Sequence, residues 1–218
     1  MTPPWSAAAA TSVGSFPGTD ARETARLIAG ELADFVHLGE LPERGPGADI
    51  IGRTGGLLAG VSSEFVMETT PLGWRLSPAL GRNRQMRRAT SMLDEDLDAL
   101  QEASDGYRGP VKVQLAGPWT MSAAVELRTG ERMLRDPRAT WDLAQVLAEA
   151  AVAHTADVRR RLPNASTVVV QFDEPSLAAV LAGRIGTASG LSSYRPVDPQ
   201  DVERSLGCVL GAAKDAGA

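Results

Sequence analysis

The chain has 218 residues, enough for one domain with a sizeable core and too few for two comfortable ones. With 43% hydrophobic residues, 22% charged residues and a net charge of −5, neither nucleic acid nor an anionic membrane is an expected partner. The single cysteine, Cys208, excludes an internal disulfide, and no apolar run approaches the roughly 20 residues that span a bilayer. These features are typical of a globular cytoplasmic protein.

The first half of the chain alternates short apolar runs with amphipathic patterns. Residues 1–10 contain an alanine stretch without a basic start, so we interpret them as a flexible tail and not as a signal peptide. The patterns that follow predict a strand over 10–16, a helix over 21–32, a strand over 34–38 and a helix over 48–58. Asp20 is placed to cap the first of these helices.

The second half continues the alternation after an irregular stretch over 60–81, which we interpret as an excursion between the repeated elements. The patterns predict a helix over 83–104, a strand over 111–116, a helix over 137–162, a strand over 167–172 and a helix from 198 onwards. Asp136 and Gly217 are placed to cap helix ends. The nearly continuous apolar run over 167–172 is typical of a strand covered on both faces.

Repeated strand–helix units predict a parallel sheet. A complete (β/α)8 barrel needs about 250 residues and eight strands, whereas four strands are predicted here. We therefore expect an α/β fold in which residues 11–218 form the N-terminal portion of a truncated barrel. A small open sheet is the alternative.

Distinctive residues follow all four predicted strands, where the loops of a parallel sheet share one crevice. They are Gly14-Ser15-Phe16-Pro17, Gly39-Glu40, Gly117-Pro118-Trp119-Thr120 and Asp173-Glu174-Pro175. The first and third groups are rich in hydrogen-bond donors and suit an anion such as a carboxylate, while the second and fourth bring carboxylates that suit an ammonium group. An amino acid is the simplest ligand carrying both charges.

Each of these groups also has a plainer interpretation. Residues 14–17 form a common type of turn, Asp173 and Glu174 suit a solvated turn that starts a helix, and Glu40 suits an ordinary surface position. The one basic cluster consists of Arg82, Arg84, Arg87 and Arg88. We favour a solvated helix start for this cluster over a site for a polyanionic substrate tail.

Metal-ligating and nucleophilic patterns are missing from the sequence. His37 lies inside a short predicted strand and His154 near the polar side of the long helix, with no second ligand at metal-binding spacing, so both are predicted to be structural. Cys208 lies between apolar neighbours on a helix and is predicted to pack in the core. The glycine-rich stretches match neither a P-loop nor a dinucleotide fingerprint.

Four segments carry a family resemblance: TSVGSFPGT at 11–19, HLGELPER at 37–44, VKVQLAGPWTM at 111–121 and VVVQFDEPSL at 168–177. In this order they resemble the catalytic barrel of the cobalamin-independent methionine synthase family, within the uroporphyrinogen decarboxylase-like superfamily. The resemblance spans nearly the whole chain. It implies a methyltransferase that makes methionine by moving a methyl group from a methyltetrahydrofolate-type donor to homocysteine, whose sulfur is activated as a zinc thiolate.

By this resemblance, Gly14 and Ser15 lie at the homocysteine carboxylate, and Glu40 and Asp173 hold its ammonium group. The family's zinc ligands would fall beyond residue 218, so this chain is expected to supply no metal ligand or catalytic residue and to be inactive alone. Trp119 is a candidate for binding the methyl donor. The family's stacking tryptophan corresponds to a position near 124, which here is alanine, so a simpler donor than polyglutamylated folate is an alternative.

Two other functions remain open. A porphyrinogen decarboxylase-like enzyme would use arginines against substrate carboxylates, and the scarcity of arginines at the predicted strand ends argues against it. A non-catalytic half-barrel would leave strand edges unpaired and would tend to self-associate.

Overall fold

The computed structural model describes residues 5–77 and 83–218, which form an α/β protein with two three-stranded sheets. The α-helices in this part of the chain are α1 (Ala21–Glu31), α2 (Ile50–Val61), α3 (Arg84–Ala103), α4 (Pro118–Ala124), α5 (Pro137–Arg161), α6 (Leu177–Leu181) and α7 (Pro199–Asp215). The strands are β1 (Val36–His37), β2 (Met67–Thr70), β3 (Gly73–Leu76), β4 (Pro110–Ala116), β5 (Val125–Glu126) and β6 (Thr167–Asp173). Short 3-10 helices cover Pro42–Arg44 and Met133–Arg135.

Side-chain caps fix where the long helices begin. Asp20 accepts a hydrogen bond from the backbone N–H of Glu23 at 3.0 Å, and Asp136 caps α5 in the same manner, as predicted. Helix α2 begins after Asp49, which caps it, and runs to Val61, so the predicted range of 48–58 starts and stops too early. Gly217 has a φ of 83° just beyond α7, which confirms the predicted C-terminal position.

The parallel sheet has the order β1-β4-β6. Strands β4 and β6 pair along their whole length, from Pro110 with Thr167 to Ala116 with Asp173. One face packs its apolar side chains against α1, α3 and α5 in a buried cluster that includes Ile28, Leu38, Leu97, Val111, Val113, Val158 and Val168. Because side chains alternate along a strand, the polar Lys112 and Gln114 lie on the opposite face.

The predicted strand over 10–16 is wrong as a regular strand. Only Ser15 pairs with the sheet, through an isolated parallel bridge to Glu40. The carbonyl groups of Ser12 and Val13 instead accept hydrogen bonds from the Lys112 ammonium group, which draws this segment across the polar face. Within the described residues, the parallel sheet therefore has three strands plus this bridge and does not close into a barrel.

Strand β6 forms an edge of the sheet and is not covered on both faces, contrary to the prediction. Val168 is its one fully buried residue, and the others are half-buried. Its pairing with β4 satisfies one edge, and no described strand pairs with the other. The apolar run over 167–172 therefore marks a strand with an open edge.

The described part of the stretch over 60–81, residues 60–77, departs from the parallel sheet, as predicted. Strands β2 and β3 form an antiparallel hairpin, and β5 joins β3 to complete a second sheet of order β2-β3-β5. Trp74 of β3 is buried, and it donates its indole N–H to Asp49 at 3.3 Å. Residues 78–82, including Arg82 of the basic cluster, lie outside the described residues.

Several single residues settle other predictions. His154 is buried, so its predicted place near the polar side of α5 is wrong. Cys208 is half-buried against the main apolar cluster, in line with the predicted packing role. In the part of the predicted tail that the structure describes, Trp5 packs on Phe35 with ring centres 5.0 Å apart. No described helix has the length and apolar character needed to cross a bilayer.

Candidate functional site

Ser15, Glu40 and Asp173 lie together at the carboxyl end of the parallel sheet. The Ser15–Glu40 bridge is held by Phe16 N–H donating to the Glu40 carbonyl at 2.8 Å, and Glu40 N–H donates to the Gly14 carbonyl at 3.0 Å. Asp173 ends β6 beside Ala116, and it lies near enough to influence the pKa of Glu40. The structure therefore brings the three predicted site residues together at the carboxyl end of the sheet.

Glu40 is a buried carboxylate with incomplete hydrogen bonding. Its Oε2 accepts from the Ser15 hydroxyl at 3.4 Å, near the upper limit for a hydrogen bond, and its Oε1 has no partner. Burial raises the pKa of Glu40; Arg53 opposes this rise and Asp173 adds to it. A buried oxygen without a donor is costly, so Glu40 is suited to receive a hydrogen bond from a ligand.

Asp173 is half-buried and accepts a hydrogen bond from Gln171 Nε2 at 2.7 Å. Burial raises the pKa of Asp173, while the Gln171 hydrogen bond and the charge of Lys112 partly oppose that rise. Two carboxyl groups with raised pKa values therefore lie at the carboxyl end of the sheet. A cation placed between them would favour the charged form of both.

Lys112 is a cation whose charge acts on both carboxyl groups, and the sequence analysis did not single it out. Its ammonium group donates to the carbonyls of Ser12 and Val13 and to Gln171 Oε1, at 2.7 Å for the last. These are all three of its donors, so it acts on Glu40 and Asp173 through charge alone. The available signal was a lysine in the middle of a mostly apolar strand.

Gly14 has a steric role at the site. Its φ is 138°, and a Cβ atom at this position would lie 2.0 Å from Gln114 Nε2. That nitrogen donates to the Leu38 carbonyl at 2.9 Å, while Gln114 Oε1 is buried without a partner. A glycine is therefore required where the 11–16 segment crosses β4.

The turn at 117–120 does not offer the backbone N–H groups of Trp119 and Thr120 or the Thr120 hydroxyl to a ligand, contrary to the expectation. Glu174 accepts from the N–H groups of Trp119 at 2.9 Å and Thr120 at 2.6 Å, and from the Thr120 hydroxyl at 2.7 Å. The carboxylate that follows β6 thus occupies the N-terminal end of α4. Burial raises the pKa of Glu174, and these hydrogen bonds oppose the rise.

A buried ion network lies behind Glu40. Arg53 donates to the Gly39 carbonyl at 3.0 Å and to Asp96 at 3.2 Å, and Arg44 approaches Asp96 at 2.6 Å. Arg53 thus fixes the backbone immediately before Glu40. Of the basic cluster on α3, Arg88 donates to the Arg44 carbonyl at 2.9 Å.

Trp119 does not join this site. Its side chain is buried in a separate cluster with Val180 and Tyr194, and it lines a cavity whose walls include none of Ser15, Glu40 and Asp173. A role for Trp119 in binding a methyl donor stays a prediction.

The residues that the structure describes do not fit a zinc site. No group of three or more His, Cys, Asp or Glu side chains among them is arranged to hold a metal ion. His37 is hydrogen-bonded to the Ser12 hydroxyl at 2.8 Å. Burial lowers the pKa of His37 and of His154 to about 4, and nearby cations contribute to both shifts.

Comparison of the chain with protein-family models, with curated proteins and with solved structures gives no match.

Proposed function

We propose that this chain is the N-terminal portion of a (β/α)8 barrel of the cobalamin-independent methionine synthase type. We further propose that Ser15, Glu40 and Asp173, at the carboxyl end of the sheet, bind the amino and carboxylate groups of homocysteine. The observation that carries the proposal is the unpartnered, buried Oε1 of Glu40 beside a second carboxyl group. The open edge of β6 supports the barrel, because a further parallel strand can pair there.

The ammonium group of the ligand fits between the two carboxylates. Lys112 already directs all three donors to Ser12, Val13 and Gln171, so it leaves Glu40 Oε1 free of hydrogen bonds. An ammonium group has three donors and a full charge, and charge-assisted hydrogen bonds of this kind are about twice as strong as neutral ones. Binding would therefore lower both raised pKa values.

The ligand carboxylate is assigned to Ser15. This residue is exposed, and its long hydrogen bond to Glu40 is weak enough to exchange for a carboxylate partner. Gly14 supports the turn by packing against Gln114. In this arrangement the chain binds and orients the amino acid.

In enzymes of the proposed type, zinc would activate the homocysteine sulfur as a thiolate, and a methyltetrahydrofolate-type molecule would supply the methyl group. The described residues do not form that metal site, so we assign them no step in the methyl transfer. Their contribution is to hold the ammonium and carboxylate groups of the ligand at the carboxyl end of the sheet.

Calorimetric titration of the intact chain tests the proposal. L-Homocysteine and L-methionine should bind, whereas 4-(methylthio)butanoate, which lacks the amino group, should bind at least about tenfold more weakly because it leaves Glu40 unpaired. Glu40→Gln should weaken methionine binding by a similar factor. Glu102→Gln, at an exposed ion pair with Arg22, is the matched control and should bind as the parent does. Equal binding of methionine and its deaminated analogue would refute the assignment.

A second candidate, a self-associating module without catalytic activity, is favoured by the open edge of β6. Val170 and Phe172 on this strand are half-buried, and no described strand pairs beyond them. Such an edge can pair with another chain. Sedimentation equilibrium across micromolar concentrations should show dimers if this candidate is correct, and a constant monomer mass would reject it.

A further inference from the structure

A second concave site lies away from the proposed amino-acid site at the carboxyl end of the sheet. A groove of about 880 Å3 runs between the first turns of α5 and α7 and the chain segment over 187–198. This volume falls within the range of about 300–1,000 Å3 that is usual for small-molecule sites. The proposed amino-acid site contributes no residue to its walls, so the groove requires its own explanation.

The groove has rigid aromatic walls. Tyr194 is buried and fixed at its hydroxyl, which donates to Glu131 at 2.6 Å and accepts from the Arg132 N–H at 3.1 Å. Trp119 packs in the same apolar cluster. Trp141 forms a further part of the wall on the first turn of α5. Immobile rings of this kind bind a flat ligand at little cost in conformational entropy.

Trp119 also carries an unused hydrogen-bond donor. The residue is only 4% exposed, and its indole Nε1–H has no partner among the described residues. A buried donor without an acceptor costs free energy, which a ligand with an acceptor atom can recover. Trp119 lines the groove, so an acceptor atom of a ligand bound there is one way to satisfy this donor.

Arginines outnumber carboxylates among the residues that line the groove, and two of them, Arg135 and Arg138, pair with Glu131 and Asp142 outside that lining. Its charged lining residues are Arg135, Arg138, Arg195, Arg204, Asp198 and Asp201. The chain as a whole has a net charge of −5, so this local excess of arginine is distinctive.

Two of these arginines are available to an anion. Neither Arg195 nor Arg204 forms an ion pair within the described residues. The Arg204 guanidinium lies over the Trp141 ring, 4.1 Å from its centre, which leaves its edge free for hydrogen bonds.

We propose that this groove binds a planar aromatic or heteroaromatic ligand that carries a carboxylate or a phosphate. The ring lies against the wall formed by Trp119, Trp141 and Tyr194, and the anionic group is held by Arg195 and Arg204. This inference is independent of the proposed amino-acid site, because the two sites share no lining residue.

Four probes separate the parts of this proposal when each is titrated into the intact chain by calorimetry. Adenosine 5′-monophosphate has a ring and a phosphate, and indole-3-acetate has a ring and a carboxylate. Adenosine has a ring without the anion, and inorganic phosphate has the anion alone. At least one of the two combined probes should bind about tenfold or more tightly than adenosine and phosphate do. The tighter of the two identifies the preferred anion.

Variants locate the binding. Arg195→Gln and Arg204→Gln should each weaken the better probe by about tenfold, the effect expected for one charge-assisted hydrogen bond. Arg22→Gln, at an exposed ion pair on α1, is the matched control and should leave the affinity unchanged. Thermal melting of each variant checks that it is folded. The proposal is overturned if no probe binds, if phosphate alone matches adenosine 5′-monophosphate, or if all three variants bind equally.

Discussion

Glu40 combines two properties that oppose each other. Its burial with one oxygen unpartnered reduces stability, whereas the same unpartnered oxygen provides the acceptor that the proposed ligand needs. Residues of this kind are common at binding sites, where local stability is given up for function.

Replacing Glu40 by glutamine should therefore stabilise the protein while it weakens ligand binding. The folded state holds the carboxyl proton more tightly than the unfolded chain, since burial raises the pKa of Glu40. The contribution of Glu40 to the stability of the parent thus falls as pH rises above the unfolded value of about 4.3. We expect Glu40→Gln to gain about 1 kcal/mol at pH 7 and nothing at pH 4, as measured by urea unfolding. A loss of stability at pH 7 would contradict this account.

Gly14 supports a second prediction at this scale. Gly14→Ala places a Cβ atom 2.0 Å from Gln114 Nε2 at a φ of 138°, so it should destabilise the fold by about 2 kcal/mol or more. Gly60→Ala is the control, because a Cβ atom there meets nothing within 4 Å. Urea unfolding should show part of the loss recovered in the Gly14→Ala/Gln114→Ala double variant. Equal losses for the two glycine variants would refute the steric argument.

Among the elements, α4 depends most on a distant residue. Glu174 follows β6 and accepts three hydrogen bonds from Trp119 and Thr120 at the first turn of α4. The same turn places Trp119 against the groove between α5 and α7. Glu174 thus links the end of a strand to a wall of that groove.

Glu174→Ala should cost about 2–3 kcal/mol of stability, because it removes a half-buried capping carboxylate and leaves two N–H groups without acceptors. Urea unfolding measures this cost. Glu149→Ala, at an exposed position on α5, should change the free energy of unfolding by less than about 0.5 kcal/mol. A similarly small effect at Glu174 would show that the cap contributes little.

The element boundaries that were predictable from sequence are those set by local chemistry. Asp20, Asp136 and Gly217 act on their own helix ends, so the printed sequence around each was sufficient. The strand over 10–16 failed because Lys112, about a hundred residues away, draws the backbone of this segment across the sheet. The role of Glu174 was hidden for the same reason, since its partners on α4 belong to another strand–helix unit.

The site shows the same division. The positions of Ser15, Glu40 and Asp173 after predicted strands were enough to place them together at the carboxyl end of the sheet. Sequence marked Lys112 only as a lysine in a mostly apolar strand, which did not reveal that it bonds the distant carbonyl groups of Ser12 and Val13. The groove between α5 and α7 also escaped prediction, because its arginines come from separate segments of the chain.

At the scale of the whole molecule, two buried histidines predict sensitivity to acid. Burial lowers the pKa of His37 and of His154 to about 4, so the folded state resists protonation while the unfolded chain accepts it near pH 6.5. Their stabilising effect is complete above this value and is lost as pH falls towards 4. Each histidine contributes a loss of about 3 kcal/mol by this linkage.

Urea unfolding between pH 7.5 and pH 5 measures the part of that loss that occurs above pH 5, about 2 kcal/mol for each histidine. The stability of the parent should fall across this interval. The His154→Leu variant should lose less stability, because it has only one buried imidazole. Glu40 acts in the opposite direction, since its raised pKa favours the folded state on acidification. An unchanged pH slope in His154→Leu would exclude the histidine explanation.

The sequence contains only two lysines, Lys112 and Lys214, and their surroundings differ completely. Lys214 is exposed in the last turn of α7, while Lys112 is covered by the segment that contains Ser12 and Val13. An amine-reactive reagent should consequently modify Lys214 at once and Lys112 only when that segment lifts away. The rate of labelling at Lys112 would then report how often the polar face opens to solvent, and a bound amino acid should slow it.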